Sequence, residues 1–377
     1  MSRPRVLELG SRRVTPAAWP RPEHWDVTGV DVRDGPGVDL VADAHALHRA
    51  LPASHFDAVY SHAVFEHLLM PWVVALELNR VLVPGGVAWI VTHEAFPRHE
   101  HPWDFWRFGT GCWTSLFEAR TGFEILDSRG LHPSRVRARG GAASPGQARE
   151  FDGHSGCEIQ VRKIGAPVAT LDWPLTPAEL LPAAHFYPAP GRRRVAGLAR
   201  RAREALASRM PRDADPLEVS RTPGPWTLLV GPQPRRPLPD FAAPDTRELP
   251  ADVDLRAWCA EQAPGSVAKL ALLDLAQRDP RPWSLIPELA RLLPPGGLLY
   301  LDAAFTAPTS EPGFRLSAEA FRGLLHAGTG FELQAVAQVD PADLLENGRP
   351  APAPCYLRSL ALARRLPGAP DAGLRWH

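Results

Sequence analysis

Residues 92–109 read THEAFPRHEHPWDFWRFG and bring His93, His99, His101 and Asp104 into one short stretch. Imidazole titrates near neutral pH, so one of these histidines, or His67 upstream, could act as a general base toward a hydroxyl. The sequence does not decide which. The spacing of His99, His101 and Asp104 would also suit a divalent metal, because imidazole and carboxylate are compatible ligands. An irregular loop with several histidines is more often an acceptor pocket or a hydrogen-bonded lid, so the expectation is a base and no metal. Trp103, Phe105 and Trp106 lie in the same loop; their rings could stack on a flat or sugar acceptor or plug the face of a sheet.

A second group of polar residues follows short apolar runs. Glu8 and Gly10 close RVLELG, where a glycine would let the backbone approach a ligand that a side chain would obstruct. Asp31 ends VTGVDV, a position from which a carboxylate can accept two ribose hydroxyls. Asp43-Ala44 and Ser61-His62 follow two further runs. Taken singly, each acid could equally cap a helix or sit in a solvated loop.

The elements that would position these groups alternate between period-2 apolar runs and helical spacing, the pattern of an α/β doubly wound sheet. Such a sheet takes ligands at the carboxyl ends of its strands, near the switch in strand order. The pattern occurs twice. PWVVALELNRVLVPGGVAWIV from Pro71 is echoed by PWSLIPELARLLPPGGLLYLD from Pro282, and Thr121-Gly122-Phe123-Glu124 by Thr329-Gly330-Phe331-Glu332. Tandem duplication is the simplest account. With 377 residues the chain exceeds what one core usually serves. The expected architecture is two tandem Rossmann-like sheets, 1–165 and 223–377, the second degenerate. Pro-rich 166–222 reads as linker, and the basic stretch from Arg192 within it as a solvated helix packed through Val195, Leu198 and Leu206. Its basic face could alternatively meet phosphate or an acidic membrane surface.

The ordered set LELGSRR, GVDVRDGPGVDLVADAH, SHAVFEH and VLVPGG resembles the class I S-adenosylmethionine-dependent methyltransferases, closest to the bacterial small-molecule type, over about residues 4 to 165. The resemblance implies S-adenosylmethionine as cofactor. It sets Glu8, Gly10 and Ser11 beside the methionine moiety, with Arg12 as a partner for its carboxylate. Asp31 and Val32 would border the ribose, Asp43 and Ala44 the adenine, and His62 the cofactor's vicinity. The family often has G-x-G-x-G where this chain has Gly10-Ser11-Arg12-Arg13. The later glycines are dispensable if a carboxylate and an amine, not a pyrophosphate, must be approached. Related enzymes with an H-D-Y-W-R-F motif suggest that residues 99–108 form a similar lid.

The second copy loses what the first could use. Aligning the repeats exchanges Glu8 for Leu229, Asp43 for Trp258, Glu66 for Asp274 and His67 for Leu275, whereas Arg107 persists as Arg315. Reactive groups went and folding elements stayed, so one cofactor site is expected, with the second half adding stability, a pocket wall or a dimer surface. Persistence of Arg315 also speaks against a catalytic Arg107. Lys plus Arg and Asp plus Glu each number 42, leaving no net field to draw nucleic acid or an anionic membrane. The fourth run is followed by Ser61-His62-Ala63-Val64 and not by the N/D-P-P-Y-like motif of nucleic-acid methylation. Four dispersed cysteines fit a reducing compartment, and no apolar run is long enough to cross a bilayer, so a cytoplasmic protein is expected. The expected partner is a small-molecule acceptor, a sugar or secondary-metabolite hydroxyl, with a homodimer possible. The competing expectation is a non-catalytic tandem interaction or scaffold protein.

Overall fold

The computed structural model describes residues 3–13, 21–100, 103–139, 150–169, 171, 226–229, 247–249, 253–273, 279, 281–304, 314–351 and 355–368. His101, the basic stretch from Arg192, Asp274 and Leu275 lie outside these residues, as does the side chain of Leu229.

In the first half, β1 (Arg5–Leu9), β2 (Asp26–Asp31), β3 (Leu40–Val41), β4 (Phe56–His62) and β5 (Leu82–His93) are joined in parallel in the order β3-β2-β1-β4-β5. The antiparallel pair β7 (Phe123–Ala138) and β8 (Glu150–Lys163) continues it beyond β5. Strand order therefore reverses at β1, between β2 and β4. Helix α1 (Pro71–Val81) starts with Pro71 at a position that needs no N–H and buries Trp72, Ala75, Leu78 and Val81 on one stripe. The Pro-Gly-Gly phrase after it turns at Gly85, whose φ of +79° favours glycine.

The second half has β9 (Thr227–Leu229), β10 (Arg247–Leu249), β11 (Lys269–Leu273), β12 (Leu298–Ala304), β14 (Phe331–Glu346) and β16 (Cys355–Arg365) in the order β10-β9-β11-β12-β16-β14. The order and the parallel or antiparallel senses match β2-β1-β4-β5-β8-β7. Helices α2 (Leu255–Glu261), α3 (Pro282–Leu292) and α4 (Ala318–Leu324) accompany them. One equivalence read from the sequence is corrected. VDLRAW is not a strand ending in Trp258: Asp254 caps α2, and Leu255, Trp258 and Cys259 are buried at helical spacing. Asp254 thus caps α2 as Asp43 caps the turn Ala44–Arg49.

The two halves are neither separate sheets nor separate cores. Strands β7 and β14 pair antiparallel at Arg135–Ala138 and Ala342–Leu345, joining both halves, with β15 (Arg349–Pro350) paired to β14, into one sheet of fourteen strands among the described residues. The main apolar core is shared, running from Leu7 and Trp72 to Trp283 and Phe331. Equivalent phrases meet across the junction: Trp72 stacks on Trp283 with centroids 4.5 Å apart. In the same way β6 (Trp106–Phe108) pairs with β13 (Phe314–Leu316), setting Arg107 opposite Arg315. All four cysteines are free and buried. No helix among the described residues is long and apolar enough to cross a membrane.

His326 caps the turn Ala327–Thr329, its Nδ1 accepting the Gly328 N–H at 3.0 Å. Burial pushes its pKa down from 6.5 to about 4. Between these values the unfolded chain binds the proton and the folded chain does not, so this stability is complete above about pH 6.5 and lost as pH falls through 4. The wild-type thermal midpoint should drop across that window by the equivalent of up to about 3 kcal/mol. His326→Asn, which keeps an acceptor for the cap, should drop less; parallel profiles for the two proteins would contradict this.

Candidate functional site

The carboxyl ends of β1 to β5 lie on one edge, as the register pairs Leu9 with Val30 and Ser61, Asp31 with Val41, and His62 with Val91. Gly10 turns the chain out of β1 with φ +79°, and a Cβ there would stand 2.1 Å from Val64 Cγ2. A glycine is thus demanded by the fold itself. The N–H groups of Gly10 and Ser11 both donate to Val30 O, at 2.8 and 3.1 Å. The Ser11 and Ser61 hydroxyls, on adjacent strand ends at the switch, are buried without a hydrogen-bond partner. Buried hydroxyls are normally satisfied, so two orphans here mark a place prepared for a polar ligand.

Asp31 accepts from Arg12 N–H at 3.3 Å on one oxygen and Arg33 N–H at 2.9 Å on the other. Each oxygen keeps a lone pair for a further donor. Val32 beyond it is exposed, and Ala44 is buried. Asp43 caps the turn Ala44–Arg49, receiving His45 N–H at 2.9 Å, and its Oδ1 stands 2.7 Å from His45 Nδ1. The capping alternative therefore describes this residue. Glu8 is buried against Arg21 Nε at 2.7 Å and Arg13 Nη2 at 3.3 Å, so it is already balanced by two guanidiniums. Arg12 contributes a backbone bond, and its Nε is buried without a partner. His62 is exposed at the end of β4.

The second cluster centres on a residue that carries no expected chemical role in the motifs above. Glu66, in the turn Phe65–His67, is fully buried. Its Oε2 accepts from Thr92 Oγ1 at 2.5 Å; Oε1 accepts no hydrogen bond. Around Oε1 stand three imidazole Nε2 atoms, from His93 at 3.2 Å, His67 at 3.7 Å and His99 at 3.9 Å. Three of the four expected histidines are thus brought together at the end of β5. A glutamate beside a histidine in an otherwise apolar stretch, VFEHLLM, is the signal available in sequence.

Burial opposes ionisation of Glu66, but His93, His67 and the Thr92 hydroxyl outweigh it and hold the carboxyl below its usual range. Burial pushes His93 down to about 4 despite Glu66, and its ring stacks on Phe96 with centroids 4.0 Å apart. For His99 burial is outweighed by the hydrogen bond and charge of Asp104, so this imidazole is more basic than usual.

Asp104 does not join His99 as an open pair of ligands. Both its oxygens are taken by Arg107, Nη1 to Oδ1 at 2.5 Å and Nη2 to Oδ2 at 2.8 Å, and Oδ2 also accepts from His99 N–H at 2.9 Å. Burial would raise this carboxyl, yet the Arg107 guanidinium holds it far below the usual aspartate range. Arg107 further donates to the Phe96, Pro97 and Trp106 carbonyls, fixing the loop that carries His99. The second half buttresses the same loop: Ser317 Oγ donates to Asp104 O, Arg98 meets Glu319 at 3.0 Å, and Arg315 reaches Glu94 at 3.5 Å. Trp103, Phe105 and Trp106 are buried, Trp106 against Trp72 and Phe314. They form the plug, not an acceptor platform.

A family profile described as "Methyltransferase domain" matches residues 7–90. Among solved structures the chain is similar to 1,6-didemethyltoxoflavin-N1-methyltransferase from Burkholderia thailandensis, solved with S-adenosylhomocysteine. Identity there is 16%, over 43% of this chain and 72% of that one, with a TM-score of 0.30. It is also similar to a SAM-dependent methyltransferase from Methanosarcina mazei, at 14% identity over 44% of this chain and 94% of that one, with a TM-score of 0.28. No curated protein matches.

Proposed function

We propose that the N-terminal half, whose residues 7–90 match a methyltransferase-domain profile, is a class I S-adenosylmethionine-dependent methyltransferase that methylates a hydroxyl of a sugar or secondary-metabolite acceptor. The observation that carries this reading is the group of three imidazoles around Glu66 at the end of β5, on the same sheet edge as the orphaned Ser11 and Ser61 hydroxyls. A scaffold has no use for a fully buried carboxylate facing three histidines, which costs folding energy.

The residues of the β1-to-β4 edge fit the cofactor. Gly10, Ser11 and Ser61 would meet its amino-acid end, with Arg12 able to neutralise a carboxylate. Asp31 would take the ribose hydroxyls and Val32 and Ala44 would flank the base. Glu8 fits less directly, since Arg13 and Arg21 already hold it; its part is to orient the loop. Bound S-adenosylmethionine supplies a methyl group activated by a sulfonium. The chain's own task is alignment of the acceptor and removal of its proton. His99, held by Asp104 and made more basic by it, is the residue assigned to take that proton at Nε2. His67 and His93 line the approach.

The second half is read as a degenerate copy, with boundaries 1–165, 166–222 and 223–377, whose work is to brace the His99 loop. Two tests apply. A methyl-transfer screen against glycosides and phenols should yield a turned-over acceptor. Asp31→Ala should weaken S-adenosylmethionine binding by about 1.5–3 kcal/mol, the range for charge-assisted hydrogen bonds. Unchanged affinity in calorimetry would refute the ribose assignment.

A further inference from the structure

We propose that Glu66, His93 and His99 form a binding site for one divalent first-row transition metal ion, with a coordination position left open. The triplet that spacing suggests, His99, His101 and Asp104, is not this site. Asp104 is bound on both oxygens by Arg107, and His101 lies outside the described residues.

The first argument is the orphaned oxygen. Glu66 Oε1 is fully buried and accepts no hydrogen bond although His93 Nε2 is only 3.2 Å away. An N–H aimed at that oxygen from such a distance would bond to it.

The second is spacing. Four ligands arranged tetrahedrally at ~2.0–2.1 Å from an ion stand about 3.4 Å from one another. The separations from Oε1 are 3.2, 3.7 and 3.9 Å, bracketing that edge. The donor atoms of Glu66, His93 and His99 all lie within 4.8 Å of one another.

The third is how the rings are held from behind. His67 Nδ1 bonds the Trp103 carbonyl at 2.6 Å, and His99 Nδ1 stands 3.2 Å from the Pro97 carbonyl and 3.5 Å from Asp104 Oδ2. A proton kept on Nδ1 leaves the Nε2 lone pair toward Glu66, and a carboxylate or carbonyl behind the imidazole is the usual support of a metal-bound histidine. The imidazoles retain 11%, 19% and 26% exposure for His67, His93 and His99, so an ion has a way in and an acceptor oxygen could share it.

Two nitrogens and one carboxylate oxygen, with a position left for an oxygen ligand, suit zinc, cobalt, manganese or iron better than magnesium or calcium. The suggested role, presenting and acidifying an acceptor oxygen so that no base is needed at His99 Nε2, rests on the methyltransferase reading; the binding itself does not. The full-length protein, stripped with a chelator and dialysed, should be titrated with Co²⁺ and Zn²⁺, following visible ligand-field bands, heat and metal content. One equivalent should bind, with the bands of a four-coordinate Co²⁺ ion. Glu66→Gln, His93→Ala and His99→Ala should each weaken binding by at least tenfold to a hundredfold, whereas His48→Ala, on the surface away from the cluster, should not. Thermal unfolding of each variant checks that it is folded, and His99→Ala, the most exposed of the three, serves if the others are not. No uptake, or uptake unchanged in both His93→Ala and His99→Ala, would overturn the site while leaving the methyltransferase reading standing. Uptake without methyl transfer to any acceptor would do the reverse.

Discussion

Replacing Arg107 by alanine is expected to remove about 3–5 kcal/mol of folding stability, the loss typical when one partner of a buried ion pair is taken away. Arg107 and Asp104 are both fully buried, and the guanidinium also satisfies three carbonyls of its own loop. Its removal leaves a carboxylate with no route to water, in a site where it stays ionised chiefly through that arginine. Urea denaturation of Arg107→Ala and of Asp104→Asn/Arg107→Met should separate the two contributions, the double variant recovering part of the loss because no charge is left alone. A single variant as stable as wild type would mean that the pair is not what fixes the loop. The same substitution tests the sequence inference that Arg107 is structural because Arg315 repeats it. Each arginine lies in one strand of the pair β6–β13, at the junction of the halves.

The second large effect is on turnover. His99→Ala should lower kcat by about a hundredfold or more, the usual contribution of a positioned base or metal ligand, with S-adenosylmethionine affinity nearly unchanged. His99 sits beyond the end of β5, whereas the residues assigned to the cofactor lie at the ends of β1 to β4. Binding and chemistry should therefore separate. Full turnover in His67→Ala, His93→Ala and His99→Ala would remove the cluster from the reaction altogether.

Local order and strand direction are legible in the sequence because they depend on neighbours a few residues apart. Apolar alternation marks β1, β2 and β4, and the Pro-helix-Pro-Gly-Gly phrase marks α1 followed by β5. The histidine loop is legible for the same reason: its residues are adjacent in the chain. Features that depend on distance in space stay hidden. Glu66 looks like one acid in an apolar turn until folding sets it opposite residues 93 and 99. Glu8 looks free for a ligand until the loop returns Arg21 to it. Asp43 reads as a ligand group, and the fold shows it also capping the turn Ala44–Arg49; VDLRAW reads as a strand, yet Asp254 within it caps the helix that starts at Leu255. The largest difference is the joining of the halves. Two matching phrases suggest two domains, and only the packing of Trp72 on Trp283 and of β7 on β14 makes them one sheet with a shared main core.

The central claim is one S-adenosylmethionine site per chain, at the switch in strand order of the first half. Calorimetric titration of the full-length protein with S-adenosylmethionine tests it most directly. The expected result is saturation at one equivalent, with Asp31→Ala binding roughly tenfold to a hundredfold more weakly. Absence of binding, or two equivalent sites per chain, would contradict it.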